Sequence, residues 1–108
     1  MDRAAWMLKR YEELLNYSRQ MLEAARQSRW DDLISLEQER DVLVVELRND
    51  VDQGDVPAQV STQIAELIRL ILTADSETQL LAKSWREELH GLLGSMSTER
   101  KLTNTYGV

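Results

Sequence analysis

Residues 60–96 read VSTQIAELIRLILTADSETQLLAKSWREELHGLLGSM, the longest periodic stretch of the chain, and no proline interrupts it. Val60, Ile64, Leu67, Ile68, Ile71, Ala82, Trp85, Leu89, Leu92, Leu93 and Met96 recur at steps of three and four. A helix turns about 100° per residue, so these side chains share one stripe. Glycine enters only at Gly91 and Gly94, near the end. Such a helix would be roughly 55 Å long at ~1.5 Å per residue. No earlier stretch offers a helical partner of equal length. Part of the stripe is therefore expected to lack a neighbour in its own chain and to face another polypeptide.

The rest of the composition agrees with a helical reading. A chain of 108 residues fits one domain with a modest core. At 43% hydrophobic and 30% charged residues it is too apolar for a disordered tail. Four glycines and one proline imply few turns and long elements, and β-branched residues are scattered rather than alternating. The expected class is all-α. A formal charge of −6 repels phosphates, which argues against direct nucleic-acid binding through a broad basic face. The absence of cysteine removes disulfides and thiolate chemistry and agrees with a reducing compartment. The first residues lack the apolar core of a secretory signal, and no run reaches the ~18 apolar residues that span a bilayer. A cytoplasmic protein without membrane insertion is expected.

Working outward from the long stretch, residues 2–27 form the first expected helix. Its stripe is Met7, Tyr11, Leu14, Leu15, Ser18, Met21, Leu22 and Ala25, with Asp2 as N-cap. The chain then turns without Gly or Pro. Ser28 suits an N-cap for the next helix, and Asp31 and Asp32 suit its positive end. Trp30 falls at the corner, where its ring either plugs the open end of the hairpin or anchors a partner. The second helix, 29–51, has an expected inner stripe of Trp30, Leu33, Ile34, Val44, Leu47 and Val51, interrupted by Glu37 to Asp41. Glu37 and Arg40 occupy inward positions there and can form a register-fixing polar layer. Residues 49–57 carry Gly54 and Pro57 and make the one true loop, with Pro57 suited to the first turn of a helix over 58–94. Short connections make consecutive helices antiparallel, giving a three-helix bundle with a long third helix. The tail, 95–108, adds at most a short fourth helical turn.

The long stretch also carries departures from its pattern. Asp75 and Thr78 fall within the stripe, and Leu70 and Leu80 fall outside it. Asp75 can meet Arg40 across the bundle or face solvent. Leu72, Leu80, Leu81 and the Leu89–Met96 end together can widen into an exposed apolar patch, the usual mark of a partner surface on a small acidic protein.

Catalytic chemistry is missing from the pattern. There is no glycine-rich phosphate loop, nucleophile elbow or His–Glu zinc spacing. His90 is the sole histidine and reads as a surface residue; one His cannot assemble a metal site. Neither a cofactor nor an enzymatic activity is expected.

Three segments carry a family resemblance. SRWDDLISLEQERDVLVVEL (28–47) resembles the second helix of FliT-type flagellar export chaperones, with a Trp corner and an internal Glu and Arg. ILTADSETQLLAKSWREELHGLL (71–93) resembles the long third helix of that family, and RKLTNTYG (100–107) its basic, Tyr-Gly ending. The resemblance implies a cytosolic chaperone for the C-terminal region of the filament-cap protein, FliD, before type III export. It also implies contacts with export-apparatus components and, in some lineages, with the flagellar activator FlhDC. The implied partner surface matches Val44, Leu47, Ile68, Ile71, Leu72 and the Trp85–Leu93 end, with Leu89 and Leu92 inside it, and the stripe carries it on to Met96. Family members commonly add a C-terminal helix that shields this surface. The sequence stops just after Tyr106-Gly107, which leaves a shortened chain or a member without that shield as the two readings.

A client helix held on such a surface would gain roughly 1.5–3 kcal/mol gross from each buried aliphatic anchor. Ordering the client offsets much of this, which suits release during export. The alternative reading is a self-associating helical adaptor, in which the same stripe forms a homodimer. A regulatory adaptor that binds a transcription complex without touching DNA is a third.

Overall fold

In a computed structural model, the backbone of residues 2–105 and the side chains of residues 2–94 are described. The described residues form three helices, α1 (Arg3–Arg26), α2 (Trp30–Asp52) and α3 (Ser61–Thr105), with no strand among them. The chain divides into two compact units, Met1–Thr78 and Gln79–Val108, so the boundary falls inside α3.

The first unit is the bundle. Arg3 at the start of α1 bonds Asp50 near the end of α2, so these helices run antiparallel. Met7 of α1 is packed with Val60 and Ile64, and Arg26 pairs with Glu77 at 2.9 Å, so α3 enters alongside α1 in the same direction. Met7, Leu15, Met21, Leu22, Leu33, Leu43, Leu47, Val60, Ile64 and Ile71 fill the core, with Ala24, Ala25 and Ala74 where the helices need small side chains. Each large aliphatic in such a core contributes about 1.5–3 kcal/mol by leaving water.

One inner position is charged. Leu33, Leu36, Arg40, Leu43 and Leu47 follow the 3-4-3-4 spacing of a heptad and are buried or half-buried, so the inner stripe of α2 runs through an arginine. This corrects the expected stripe. Ile34 and Glu37 are exposed because the true inner row sits a fraction of a turn away from the one that apolar residues alone suggest, whereas Val51, in line with Leu33, is exposed in the last turn of α2. Arg40 Nη1 donates to Ser18 Oγ at 3.0 Å and to Asp75 Oδ1 at 2.7 Å, joining all three helices in one polar layer. Ser18 is fully buried, and the Arg40 and Asp75 side chains are only 18% and 22% exposed. Arg40 Nε is buried without a hydrogen-bond partner.

The two hairpin ends are closed differently. At the α1–α2 corner, Ser28 adopts φ 57°. The Ser28 N–H reaches Ala25 O at 3.1 Å and the Arg29 N–H reaches Ala24 O at 2.8 Å. This is a Schellman closure with serine in the left-handed position that glycine usually takes. Ser28 therefore ends α1 and does not cap α2, whose N-cap is Arg29, without a side-chain bond to the helix. A left-handed non-glycine costs roughly 1–2 kcal/mol, partly offset by the ~0.5–1 kcal/mol entropic penalty of glycine. Ser28→Gly is expected to raise the thermal midpoint by roughly 2–6 °C, read by circular dichroism. A lowered midpoint would show that the corner tolerates serine without strain.

At the other end, Arg3 acts as a clamp. Its Nη2 donates to Asp50 Oδ2 at 3.2 Å and to Gly54 O at 2.8 Å, and its Nη1 donates to Asp55 O. The guanidinium thus satisfies carbonyls of the loop that follows α2, where helix ends leave acceptors unpaired. Pro57 lies in that loop rather than in the first turn of α3, and its carbonyl accepts from Val60 N–H at 3.2 Å.

In the second unit α3 continues through Gly91 and Gly94 to Thr105, where the sequence places its end near Gly94. A mid-helix glycine costs about 1 kcal/mol and does not require a turn, and the flanking Leu, Glu, Lys and Arg residues favour helix. The Tyr106-Gly107 ending lies outside the described residues.

Candidate partner-binding surface

The residues expected to contact a partner fall into three settings. Val44 and Leu47 sit on the α1–α2 side of the bundle. There they line an open groove of about 260 Å³ with Tyr11, Leu14, Arg48, Val51 and Asp52. Leu47 is 4% exposed and forms its floor, and Val44 is half-buried on its wall. The Tyr11 hydroxyl has its pKa raised, first by burial and then by the nearby Asp50 carboxylate, so it remains a neutral donor at the groove.

On the first-unit part of α3, Ile71 is 6% exposed and belongs to the core. Ile68 and Leu72 are exposed and lie four residues apart, one above the other on the helix surface. In the second unit, Trp85, Leu89, Leu92 and Leu93 are all exposed, Leu92 and Leu93 at 64% and 54%. Their steps of four, three and four place them on one face of this helical segment. No residue from Gln79 to Gly94 is fully buried, and Leu81 and Ala82 are half-buried. The Met96 side chain lies outside the described residues.

Tyr11 and Leu14, which fall on the expected core stripe of α1, line the groove at Val44 and Leu47 instead. The available signal was Val44, Arg48 and Val51, a second row at helical spacing beside the inner heptad of α2. His90 is exposed, and among the described residues no cluster of His, Asp and Glu could hold a metal ion. No helix of the described residues is long and apolar enough to cross a membrane. The surface offers apolar contact and charge, the means of recognising another polypeptide.

Comparison with known proteins bears on the chain as a whole. The family model described as "Flagellar protein FliT" matches residues 8–108. The chain belongs to the FliT family. It is 27% identical over 107 residues to the flagellar protein FliT of Escherichia coli (strain K12), covering 99% of this chain and 88% of the relative. The FliT protein of Yersinia enterocolitica serotype O:8 / biotype 1B is 28% identical, with 99% and 89% covered, and that of Shigella sonnei (strain Ss046) is 26% identical, with 99% and 88% covered. No solved structure matches the chain. FliT is a family of flagellar proteins and not a known enzyme family.

Proposed function

We propose that this FliT-family chain is a cytoplasmic flagellar type III secretion chaperone that binds and shields the C-terminal region of the filament-cap protein FliD before export. The observation that carries the reading is the exposed row Trp85, Leu89, Leu92 and Leu93 on α3. Four large apolar side chains on one helical face lose nothing from the bundle core when a partner covers them, and an amphipathic client helix matches their spacing. Ile68 and Leu72 supply separate contacts of the same kind, and the groove at Val44 and Leu47 another. Contacts with export components and with FlhDC rest on the family resemblance alone. The net charge of −6 favours protein contact over DNA contact in any regulatory role.

Co-expression with the filament-cap protein is the direct test. Co-purification of the two chains is expected, and it should be lost when the last helix of the cap protein is deleted. Sedimentation of the chain alone and with client separates the chaperone from a self-associating adaptor. The chaperone reading expects client to displace any homodimer, whereas a dimer that persists with client bound favours the adaptor.

A further inference from the structure

The outward face of α2 carries a second surface that neither the bundle nor the proposed client site uses. Ile34, Val42 and Val45 are 53%, 64% and 51% exposed. At 100° per residue they lie within a quarter-turn of one another, opposite the inner row of Leu33, Arg40 and Leu47. β-Branched residues are weaker helix formers than the Lys, Gln or Glu common on solvated helical faces, so helix stability does not explain them. Carboxylates border the same face. Asp31, Glu37, Glu39 and Asp41 are exposed and make no ion pair among the described residues. Two other exposed charges flank this face among the described residues, Glu46, which pairs with Arg10 at 3.6 Å, and Arg48, while the remaining arginine of α2, Arg40, points inward to Asp75.

We infer that this face docks a cationic amphipathic helix, whose aliphatic side would cover Ile34, Val42 and Val45 while its Lys or Arg residues meet the bordering carboxylates. Charge selects this occupant. A second copy of the chain would bring carboxylates against carboxylates, and an anionic lipid or nucleic acid would be repelled outright. The aliphatic row separates such docking from diffuse attraction, because a merely acidic surface needs no valine at its centre.

The test uses the full chain, labelled with ¹⁵N, and three synthetic peptides of about 18 residues, ~27 Å as helices. One carries leucines at helical spacing with lysines elsewhere, the second has Glu for Lys, and the third has Ser for Leu. The first peptide is expected to bind and to shift amide resonances from Asp31 to Val42, with those of Tyr11 and Leu14 unmoved, and more weakly as salt is added. The Glu and Ser peptides are each expected to bind at least about tenfold more weakly. Asp41→Lys combined with Val42→Ser, both at exposed positions, should also weaken the first peptide about tenfold with helical circular dichroism unchanged. Equal binding by the Ser peptide would reduce the effect to bulk charge and overturn the inference. So would shifts centred on Tyr11 and Val44 or on residues 85–93, unaltered affinity of the variant, or no binding.

Discussion

Replacing Leu89 and Leu93 together with aspartate is expected to abolish co-purification of the filament-cap protein while leaving the helical signal intact. Both side chains are exposed and four residues apart, so the substitution removes no core contact. At a covered interface the same change loses roughly 1.5–3 kcal/mol of apolar burial at each position. It also strands two carboxylates among apolar partner atoms, which costs still more. Even a moderate chaperone–client affinity falls below detection after a loss of this size. Unchanged capture by the double variant would remove this row of α3 from the client site. Since the groove at Val44 and Leu47 is untouched by it, capture that persists here but fails in Val44→Asp would move the site to that groove.

The second large effect concerns the interior. Asp75→Ala leaves the Arg40 guanidinium with only the Ser18 hydroxyl, in a layer where its Nε already lacks a partner. Breaking a mostly buried pair on one side leaves an uncompensated charge. A loss of about 2–4 kcal/mol is expected in urea unfolding, with the slope unchanged. Removing the layer as a whole should behave differently. Ser18→Ala with Arg40→Met and Asp75→Leu replaces the ionic contact by apolar packing and is expected within about 1 kcal/mol of the parent, or above it. A loss below about 1 kcal/mol for Asp75→Ala alone would show that water reaches Arg40 and solvates it.

This contrast explains which parts of the fold were legible in the sequence. The long periodic run from Val60 onward, the scarcity of Gly and Pro, and the loop around Gly54 led directly to three helices and their directions. Asp75 falling within the stripe of α3 left Arg40 across the bundle or solvent as its partner, and the structure joins it to Arg40. The face of α2 was misjudged because its heptad runs through Arg40, and apolarity alone shifted weight to Ile34 and Val51, both exposed. The corner at Ser28 was misread because serine is a good N-cap, and nothing local signals that it would take the left-handed conformation. Arg3 was invisible for another reason: its acceptors lie about fifty residues away and three of them are backbone carbonyls, which carry no residue identity. The surface was legible where exposure follows from helical spacing, as at Leu89 and Leu93. At Leu47 and Ile71 the stripe reading and the partner-surface reading compete, and both side chains are buried in the core, as their stripes imply.

The clamp at Arg3 and the corner at Ser28 have a joint consequence. The Arg3 bonds to Asp50, Gly54 and Asp55 and the backbone closure at Ser28 all lie within residues 3–55. As the polypeptide leaves the ribosome, α1 and α2 can settle their alignment before the last helix has been made. The third helix then supplies Asp75 to the Arg40 layer and packs Val60 and Ile64 against Met7.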